Sequence, residues 1–510
     1  MAAVALALAS PARRKLRVGL FADAPLQPRW VVEAFDRVAR SDFAEIVLIS
    51  AGTRRAAVPL LWRAYAGSSE QLDLSAIRPF ISSELMPGAS AGLDVAFVLG
   101  ELDDRALDGV ARLGVWRFCF GNERGHAETL AGWREFADGA PVTGAGIKVR
   151  LAAGAPARLA CQSWSRTDPL SLARTRGRLL RKCSELAWRA LREAHRAGEG
   201  YLDQCRIVRD ADLTPRGPDG ADFLRALPGI GSRVIGTALQ RALSHERSFL
   251  AWRWREERFG DARAVAPDLR GYSRTWAPAG RTWSQPFAIE KHGRYFVFFS
   301  ERVSGKSHIA MLEVKRDGRW IAPVRVLERP HSLSHPHLVE EGGELYLLAD
   351  RGTAGPVEAY RCVDFPQRWK LDKPLLEAPL ADATLHRATD RWWLFGASAE
   401  DELVLHHAQE LFGAWRAHPR NPVVGDVRCA RPAGQLFSRA GALYRPAQIC
   451  APADGTGLSM NRVLRLTPEE YLERQVERIL PAPGLCGMRT LNRAGELTVI
   501  DAGARRSRFA

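Results

Sequence analysis

The chain of 510 residues contains no Cys-x-x-Cys pair; its eight cysteines are scattered at positions 119, 161, 183, 205, 362, 429, 450 and 486. That scatter argues against a structural zinc site and a disulfide scaffold, and it fits reduced thiols in a cytoplasmic protein. No apolar run approaches the ~20 residues a membrane-spanning helix needs. The apolar opening Met1–Ala9 has no positive residue ahead of it and runs into Arg13, Arg14 and Lys15, so residues 1–15 are read as a disordered or targeting-like N-terminus. No Gly-x-Gly-x-x-Gly follows the first strand, where the residues are Ala22-Asp23-Ala24-Pro25, and a dinucleotide site is not supported. Nucleic acid is set aside as a partner, because no RNP, zinc-finger or helix-turn-helix signature is present.

Against these absences stands a net charge of +15, on an otherwise ordinary background of 46% apolar and 26% charged residues. Such a balance suits an anionic membrane surface or a phosphorylated substrate, or it reflects an Arg- and Ala-rich composition. The length exceeds one ordinary core, so two domains are expected.

The organising feature is a motif written five times. Each copy is a polar corner, an apolar run, a turn and a second run rich in aromatic and aliphatic residues, which is a β-hairpin. The copies run from Ser284-Gln285-Pro286-Phe287 to Phe299-Ser300-Glu301, from Ser334-His335-Pro336-His337 to Ala349-Asp350, and from Ala381-Asp382-Ala383-Thr384 to Phe395-Gly396-Ala397. Two more run from Ala430-Arg431-Pro432-Ala433 to Pro446-Ala447-Gln448 and from Gly487-Met488-Arg489-Thr490 to Ile500-Asp501-Ala502. The corners Gln285, His335, Asp382, Arg431 and Met488 recur every 47 to 57 residues. Pure strand signal at such a period predicts a five-bladed propeller over 280–510.

Antiparallel partners place the first residue of each hairpin beside the last. One mouth of the propeller is therefore expected to gather Gln285, His335, Asp382, Arg431 and Arg489 with Glu301, Asp350, Gln448 and Asp501, with Arg445 nearby and Trp283, Trp392, Trp393 and Tyr444 at the rim. His331, His335 and His337 do not make a metal site, since at strand spacing only His335 and His337 share a face and no third ligand is placed.

Before the propeller, Leu16–Phe21, Pro28–Arg40 and Ala44–Ser50 read as a strand, a helix and a strand, a βαβ unit. Leu93–Leu99 and Gly114–Phe120 are further buried strands, and Ala145–Arg150 with Ala157–Ser163 suggests a hairpin around Gly154. An α/β domain over 16–165 is expected, followed by a helical connecting region and linker over 166–279. Within that region Asp168–Tyr201 is helical, amphipathic and basic, either lying on an anionic membrane or packing on the sheet. Thr214–Gly220 reads as a loop, Val234–Arg255 as a second helix and Ala264–Gly280 as a linker.

Two resemblances add to this. Gly114-Val115-Trp116-Arg117-Phe118, Trp133-Arg134-Glu135-Phe136 and Pro141-Val142-Thr143-Gly144 resemble the formyltransferase fold. That family's Asn-x-His would fall at Gly114 and Trp116, and no Asp stands in Ile147–Cys161, so the resemblance implies a degenerate domain, with Asn122 and His126 as substitutes on paper. In the repeat region, Ser334-His335-Pro336, Ala381-Asp382-Ala383-Thr384-Leu385, Arg391-Trp392-Trp393-Leu394-Phe395, Leu411-Phe412-Gly413-Ala414-Trp415, His418-Pro419-Arg420-Asn421-Pro422-Val423 and Leu443-Tyr444-Arg445-Pro446-Ala447-Gln448 are similar to the N-terminal domain of glucosamine inositolphosphorylceramide transferase. That domain resembles five-bladed glycoside hydrolases of the arabinanase and xylosidase type. In those hydrolases an Asp of the first blade is the base, an Asp of the third tunes the acid and a Glu of a later blade is the acid. Here Gln285 stands at the first corner, Asp382 matches the third-blade Asp, and Arg431 stands at the fourth corner, so hydrolysis is disfavoured.

The expected fold is thus an α/β formyltransferase-like domain followed by an all-β five-bladed propeller. The expected function is carbohydrate-directed, in surface-glycan or glycolipid biosynthesis, on a sugar, sugar-phosphate or glycolipid substrate and without a cofactor. Catalytic candidates are Asp382, Glu301 and Asp350, and substrate-binding candidates are Gln285, His335, Arg431, Arg445, Gln448 and Arg489. Sugar transfer, glycan binding without catalysis, and formyl or acyl transfer by the first domain stay open as alternatives. The last predicts a cofactor pocket near Cys119–Asn122.

Overall fold

The structure is a computed structural model describing residues 14–52, 71–73, 77, 92–100, 105–121, 131–152, 154–198, 200–208, 220–254 and 267–509. The chain divides into two compact units, Met1–Ile230 and Gly231–Ala510, and the division falls inside the helix Gly220–Leu243. Asn122, His126, Arg255 and the loop 214–219 lie outside the described residues.

In the first unit the short apolar runs become β1 (Leu16–Ala22), β3 (Ala44–Ala51), β5 (Val95–Leu99) and β6 (Val115–Phe120), which pair in parallel in the order β3-β1-β5-β6. The near-continuous apolarity of β5 is what a parallel strand covered on both faces requires. The sheet continues antiparallel through β7 (Val142–Arg150), β8 (Ala157–Arg166) and β9 (Arg206–Val208), so it is a seven-stranded mixed sheet. A separate small pair joins β2 (Leu26–Pro28) to β4 (Gln71–Asp73). The expected hairpin around Gly154 is present. Helix α1 (Arg29–Ala39) buries Trp30, Val31, Ala34, Phe35 and Val38, whose spacing forms one stripe, in a core shared with Phe97 and Phe118.

The basic helix also forms, over Leu172–Ala197, with Ser171 as N-cap accepting from Arg174 N at 3.2 Å. Its Leu179, Leu180, Leu186 and Leu191 are buried in the same core, so of the two readings left open it takes the packed one.

The second unit is the propeller. Blade I is β12 (Arg281–Lys291), β13 (Arg294–Val303), β14 (Lys306–Val314) and β15 (Val324–Leu327). Blade II is β16 (Ser334–Glu341), β17 (Glu344–Asp350), β18 (Val357–Asp364) and β19 (Arg368–Leu376). Blade III is β20 (Ala381–Arg387), β21 (Trp392–Ala397), β22 (Leu403–Ala408) and β23 (Arg416–Ala417). Blade IV is β24 (Phe437–Arg439), β25 (Ala442–Ile449), β26 (Gly457–Leu466) and β27 (Tyr471–Ile479).

Blade V is composite. Its strands β28 (Leu485–Ala494) and β29 (Leu497–Ser507) come from the C-terminal end, but its outer strands are β10 (Ser244–Trp254) and β11 (Ser273–Trp276), in the order β11-β10-β29-β28. Strand β10 pairs with β29 along its whole length, from Ser244 opposite Ser507 to Trp254 opposite Leu497. The helix expected over Val234–Arg255 therefore stops at Leu243. Residues 244–254 are a strand because Phe249 and Ala251 fill the core toward Met488 and Ile500, while Leu250 and Trp252 fill the core toward Trp283 and Phe299. Alternate side chains serve opposite faces, the period of a strand buried on both sides. Residues just upstream of the repeats thus close the ring.

Adjacent blades pack through shared cores. Gly434, at φ +123, shows how close they come: a Cβ there would stand 2.1 Å from the carbonyl oxygen of Leu491.

Candidate functional site

In four of the five blades the recurring polar corner is a β-bulge. Pairing of the first two strands shifts between Ser284 and Phe287 in blade I, between Ser334 and His337 in blade II, between Ala381 and Thr384 in blade III and between Met488 and Leu491 in blade V. In the first three the residue inside the bulge is left-handed without being glycine: Gln285 at φ 56°, His335 at φ 49° and Asp382 at φ 54°. Such a conformation costs about 1–3 kcal/mol per residue and persists where surrounding contacts fix it.

Those contacts come from the preceding blade. Gln285 N donates to Asp501 Oδ2 (3.1 Å), His335 N to Ser300 Oγ (3.1 Å) and Ala383 N to Asp350 Oδ2 (3.1 Å). Each bulge amide, freed from its own ladder, is satisfied across a blade junction.

Four blades then converge on one carboxylate. Asp382 Oδ1 accepts from Gln285 Nε2 of blade I at 2.5 Å and lies 3.5 Å from His335 Nδ1 of blade II. Its Oδ2 accepts from Gln448 Nε2 at 3.0 Å and from Arg431 Nε, both in the blade IV repeat. The amide of Gln285 is oriented by its own acceptor role, taking bonds from Ser300 Oγ (2.9 Å) and His335 N (3.2 Å). His335 Nε2 meets Thr384 Oγ1 at 3.0 Å. Five of the expected residues, Gln285, His335, Asp382, Arg431 and Gln448, are thus brought together.

The pair at the centre is lopsided. The Asp382 side chain is 1% exposed, whereas that of Arg431 is 23% exposed and lies 3.7 Å from Asp401 Oδ1. Burial pushes the Asp382 carboxyl up, but Arg431, His335 and the Gln285 hydrogen bond outweigh it and hold the group below its usual range. Arg431 is held charged by the same pair. Burial pushes the His335 imidazole below its usual value, with Asp382 opposing the shift and Arg431 adding to it.

Asp350 sits beside this cluster but faces the backbone. It accepts from Ser334 Oγ (2.8 Å), Gly352 N (2.9 Å) and Ala383 N. Burial, with the neighbouring charge of Asp382, pushes its carboxyl up to about 7. Asp501 accepts from Thr490 N at 2.7 Å as well as from Gln285 N.

Other expected members are placed elsewhere. In blade I the residue opposite Ser284 is Ser300, as Asp350 is opposite Ser334 in blade II. Glu301 is one step further on, on the other face of the strand. There it accepts from Trp283 Nε1 (2.9 Å) and Arg281 Nη1 (3.1 Å) and meets His308 Nε2 at 2.7 Å. Arg445 is fully buried and grips Glu473 with both fork positions (2.9 and 2.6 Å) while donating to the carbonyls of Cys429 and Ala430. Arg489 pairs with Glu246 of β10 at 2.6 Å. The tryptophans expected at the rim are core: Trp283, Trp392 and Trp393 are all buried between blades. Asp401, the second carboxylate near Arg431, carries no signal in the sequence beyond that of a turn residue in Ala399-Glu400-Asp401.

Chemically, Asp382 and Asp350 are closed acceptors, their oxygens occupied by protein donors. What opens to a ligand is the guanidinium of Arg431, braced from behind, with the half-buried Gln285 and Asp401 beside it. A fork so held suits phosphate or carboxylate, and the amide and carboxylate suit sugar hydroxyls. Among the described residues no group of three or more His, Cys, Asp or Glu side chains has the arrangement of a metal site.

Comparison with known proteins agrees with the resemblance read from the repeats. Residues 276–485 match the family described as glucosamine inositolphosphorylceramide transferase 1, N-terminal. Over 211 residues the chain is 28% identical to glucosamine inositolphosphorylceramide transferase 1 of Arabidopsis thaliana, covering 39% of this chain and 28% of that protein. The protein of the same name from Oryza sativa subsp. indica is 28% identical over 203 residues, 37% of this chain and 27% of the relative. The matched region is therefore little more than a quarter of either relative's length. Among solved structures, a family 117 glycoside hydrolase of Zobellia galactanivorans is 12% identical, covering 50% of this chain and 90% of its own, with a TM-score of 0.33. The catalytic domain of a Coprinopsis cinerea GH62 α-L-arabinofuranosidase is 10% identical, covering 43% and 90%, with a TM-score of 0.33.

Proposed function

We propose that the propeller mouth binds a sugar or sugar-phosphate group of a glycolipid or surface glycan, and that the protein acts in the biosynthesis of such a molecule. The observation that carries this reading is the open Arg431 fork held by a buried, ionised Asp382 at the meeting point of four blades. Asp382 orients the fork, Arg431 takes the phosphate or a hydroxyl, and Gln285 with Asp401 completes the polar rim. The similarity of residues 276–485 to a family named for a glycolipid transferase supports the substrate class.

Sugar transfer within the propeller is the second reading, and the contrast between the two neighbouring carboxyls favours it. A group held ionised beside one pushed up to about 7 is the arrangement that separates a base from an acid. In that reading Asp350 gives the proton and Asp382 stays ionised. Asp350 is closed by Ser334, Gly352 and Ala383, and Glu301 is held by Trp283, Arg281 and His308 on the other face of its strand, so this reading requires a rearrangement that the first does not. Formyl or acyl transfer by residues 16–165 predicts lost activity in Asn122→Ala or His126→Ala, and unchanged activity in both removes it.

Thermal shifts of the wild type and Asp382→Ala against nucleotide sugars, sugar phosphates, pentose oligosaccharides and a folate formyl donor test the first reading. A ligand of the native state raises the melting temperature by mass action, without any reaction being known. A rise with a sugar ligand that vanishes in Asp382→Ala is the expected result. A rise with the folate donor alone, unchanged by the mutation, overturns it.

A further inference from the structure

Helices in globular proteins are held mainly by packing of an apolar face, and short isolated ones are marginal in water. The segment Gly231–Leu243 departs from that rule. Val234, Ile235, Ala238, Leu239, Ala242 and Leu243 are all exposed, Ile235 at 61%. At about 100° per residue these six fall on one half of the helix, with Arg233, Thr237, Gln240 and Arg241 on the other. Gly231 and Gly236 lower its intrinsic helicity further. It is an amphipathic helix whose apolar half has no cover within the described residues.

The surroundings are basic. No Asp or Glu occurs between Gly231 and His245. Pairing of Ser244 with Ser507 and of His245 with Arg506 brings the C-terminal strand to the helix end, and Arg508 N donates to the carbonyl of Leu243 at 3.0 Å. Arg505, Arg506 and Arg508 are exposed there with Arg241, and Phe509 stands 81% exposed beside them. Glu246, the one acid at this corner in 231–254, is paired with Arg489.

From this we infer that Gly231–Leu243 and the tail Arg505–Phe509 form a docking surface for an anionic lipid bilayer. Val234, Ile235, Leu239, Leu243 and Phe509 enter the boundary between headgroups and acyl chains, and the arginines meet the lipid phosphates. Arginine stems bury along apolar surface while their heads stay wet, so Arg241 at the flank suits such a depth. A second copy of this chain is a poorer occupant, because an isologous contact would set the arginine cluster against itself. None of the described helices is long and apolar enough to cross a membrane, so the surface lies on the bilayer. This inference is independent of the propeller mouth and of what binds there.

Flotation of the full chain with vesicles of phosphatidylcholine and phosphatidylglycerol, and with pure phosphatidylcholine, tests it. The wild type is expected to float with the anionic vesicles at low salt, and Ile235→Glu/Leu239→Glu and Arg241→Glu/Arg508→Glu each to weaken binding on the order of tenfold or more. All four side chains are exposed, and unchanged melting temperatures will show that the variants are folded. Absence of wild-type binding to anionic vesicles, or undiminished binding by both variants, overturns the proposal. So does a dimer, seen by sedimentation, that Ile235→Glu/Leu239→Glu dissociates while vesicle binding is absent.

Discussion

The propeller holds two arginine–carboxylate pairs of the same chemistry and opposite design. Arg445 and Glu473 are both enclosed, at 0% and 6% exposure, with the fork closed on its partner and on two carbonyls. Arg431 and Asp382 share one buried end and one open end. The first pair fixes one blade internally, the second brings four blades together and leaves a guanidinium edge toward solvent. Which arginine can serve a ligand is therefore decided by what surrounds the pair, since both look alike in sequence as an Arg within a repeat.

Breaking the closed pair should give the largest effect. Glu473→Ala leaves a buried charge without its partner, and we expect a loss of about 3–5 kcal/mol in urea unfolding with no change in ligand preference among molecules that remain folded. Asp382→Ala should cost less, about 1–3 kcal/mol, because Arg431 can turn to water while Gln285 and Gln448 lose an acceptor; the same variant should abolish the ligand-induced thermal shift. If Asp382→Ala proved the more damaging to stability, the contrast between closed and open pairs would fail.

Smaller effects lie in the pH dependence. The folded-state pKa of Asp382 is held below its unfolded value, so its contribution is present at neutral pH and is lost as pH falls through the acid range. Arg431→Gln should therefore lower the melting temperature more at neutral pH than at about pH 4. Asp350 is opposite in sign. Its carboxyl is raised from 3.8 to about 7, so its contribution is fully present below 3.8 and declines as pH rises through about 7. Asp350→Asn should flatten that decline in a melting series across the interval, and an unaltered slope would locate the titration in another group.

Much of this was legible because the repeat is local. A polar corner, two runs and a turn recur in the sequence, and the corners Gln285, His335 and Asp382 meet because blades I, II and III use the same bulge, with Arg431 and Gln448 brought in by the corner of blade IV, where Pro432 bridges to Ala447. Ring closure was not legible. Strand β10 is paired with residues about 250 positions away in the sequence, and Phe249-Leu250-Ala251-Trp252 is apolar on both faces, a pattern that fits a helix as well as a buried strand. The role of Ser300 in place of Glu301 was hidden by a one-residue register, which exchanges the faces of a strand. Arg445 could not be told from Arg431 because its partner Glu473 lies on an outer strand that the hairpin pattern does not include. The basic helix, read as lying on a membrane or packing on the sheet, has its apolar stripe covered over Leu172–Ala197, an outcome that only tertiary packing decides.

The central claim is that Arg431 is the ligand-facing member of its pair. Calorimetric titration of glucosamine 1-phosphate into the wild type and Arg431→Gln tests it most directly. The account predicts measurable binding to the wild type and affinity lower by about tenfold or more in the variant, the scale of one lost charge-assisted contact. Equal affinity in the two proteins, with both shown to be folded, would contradict it.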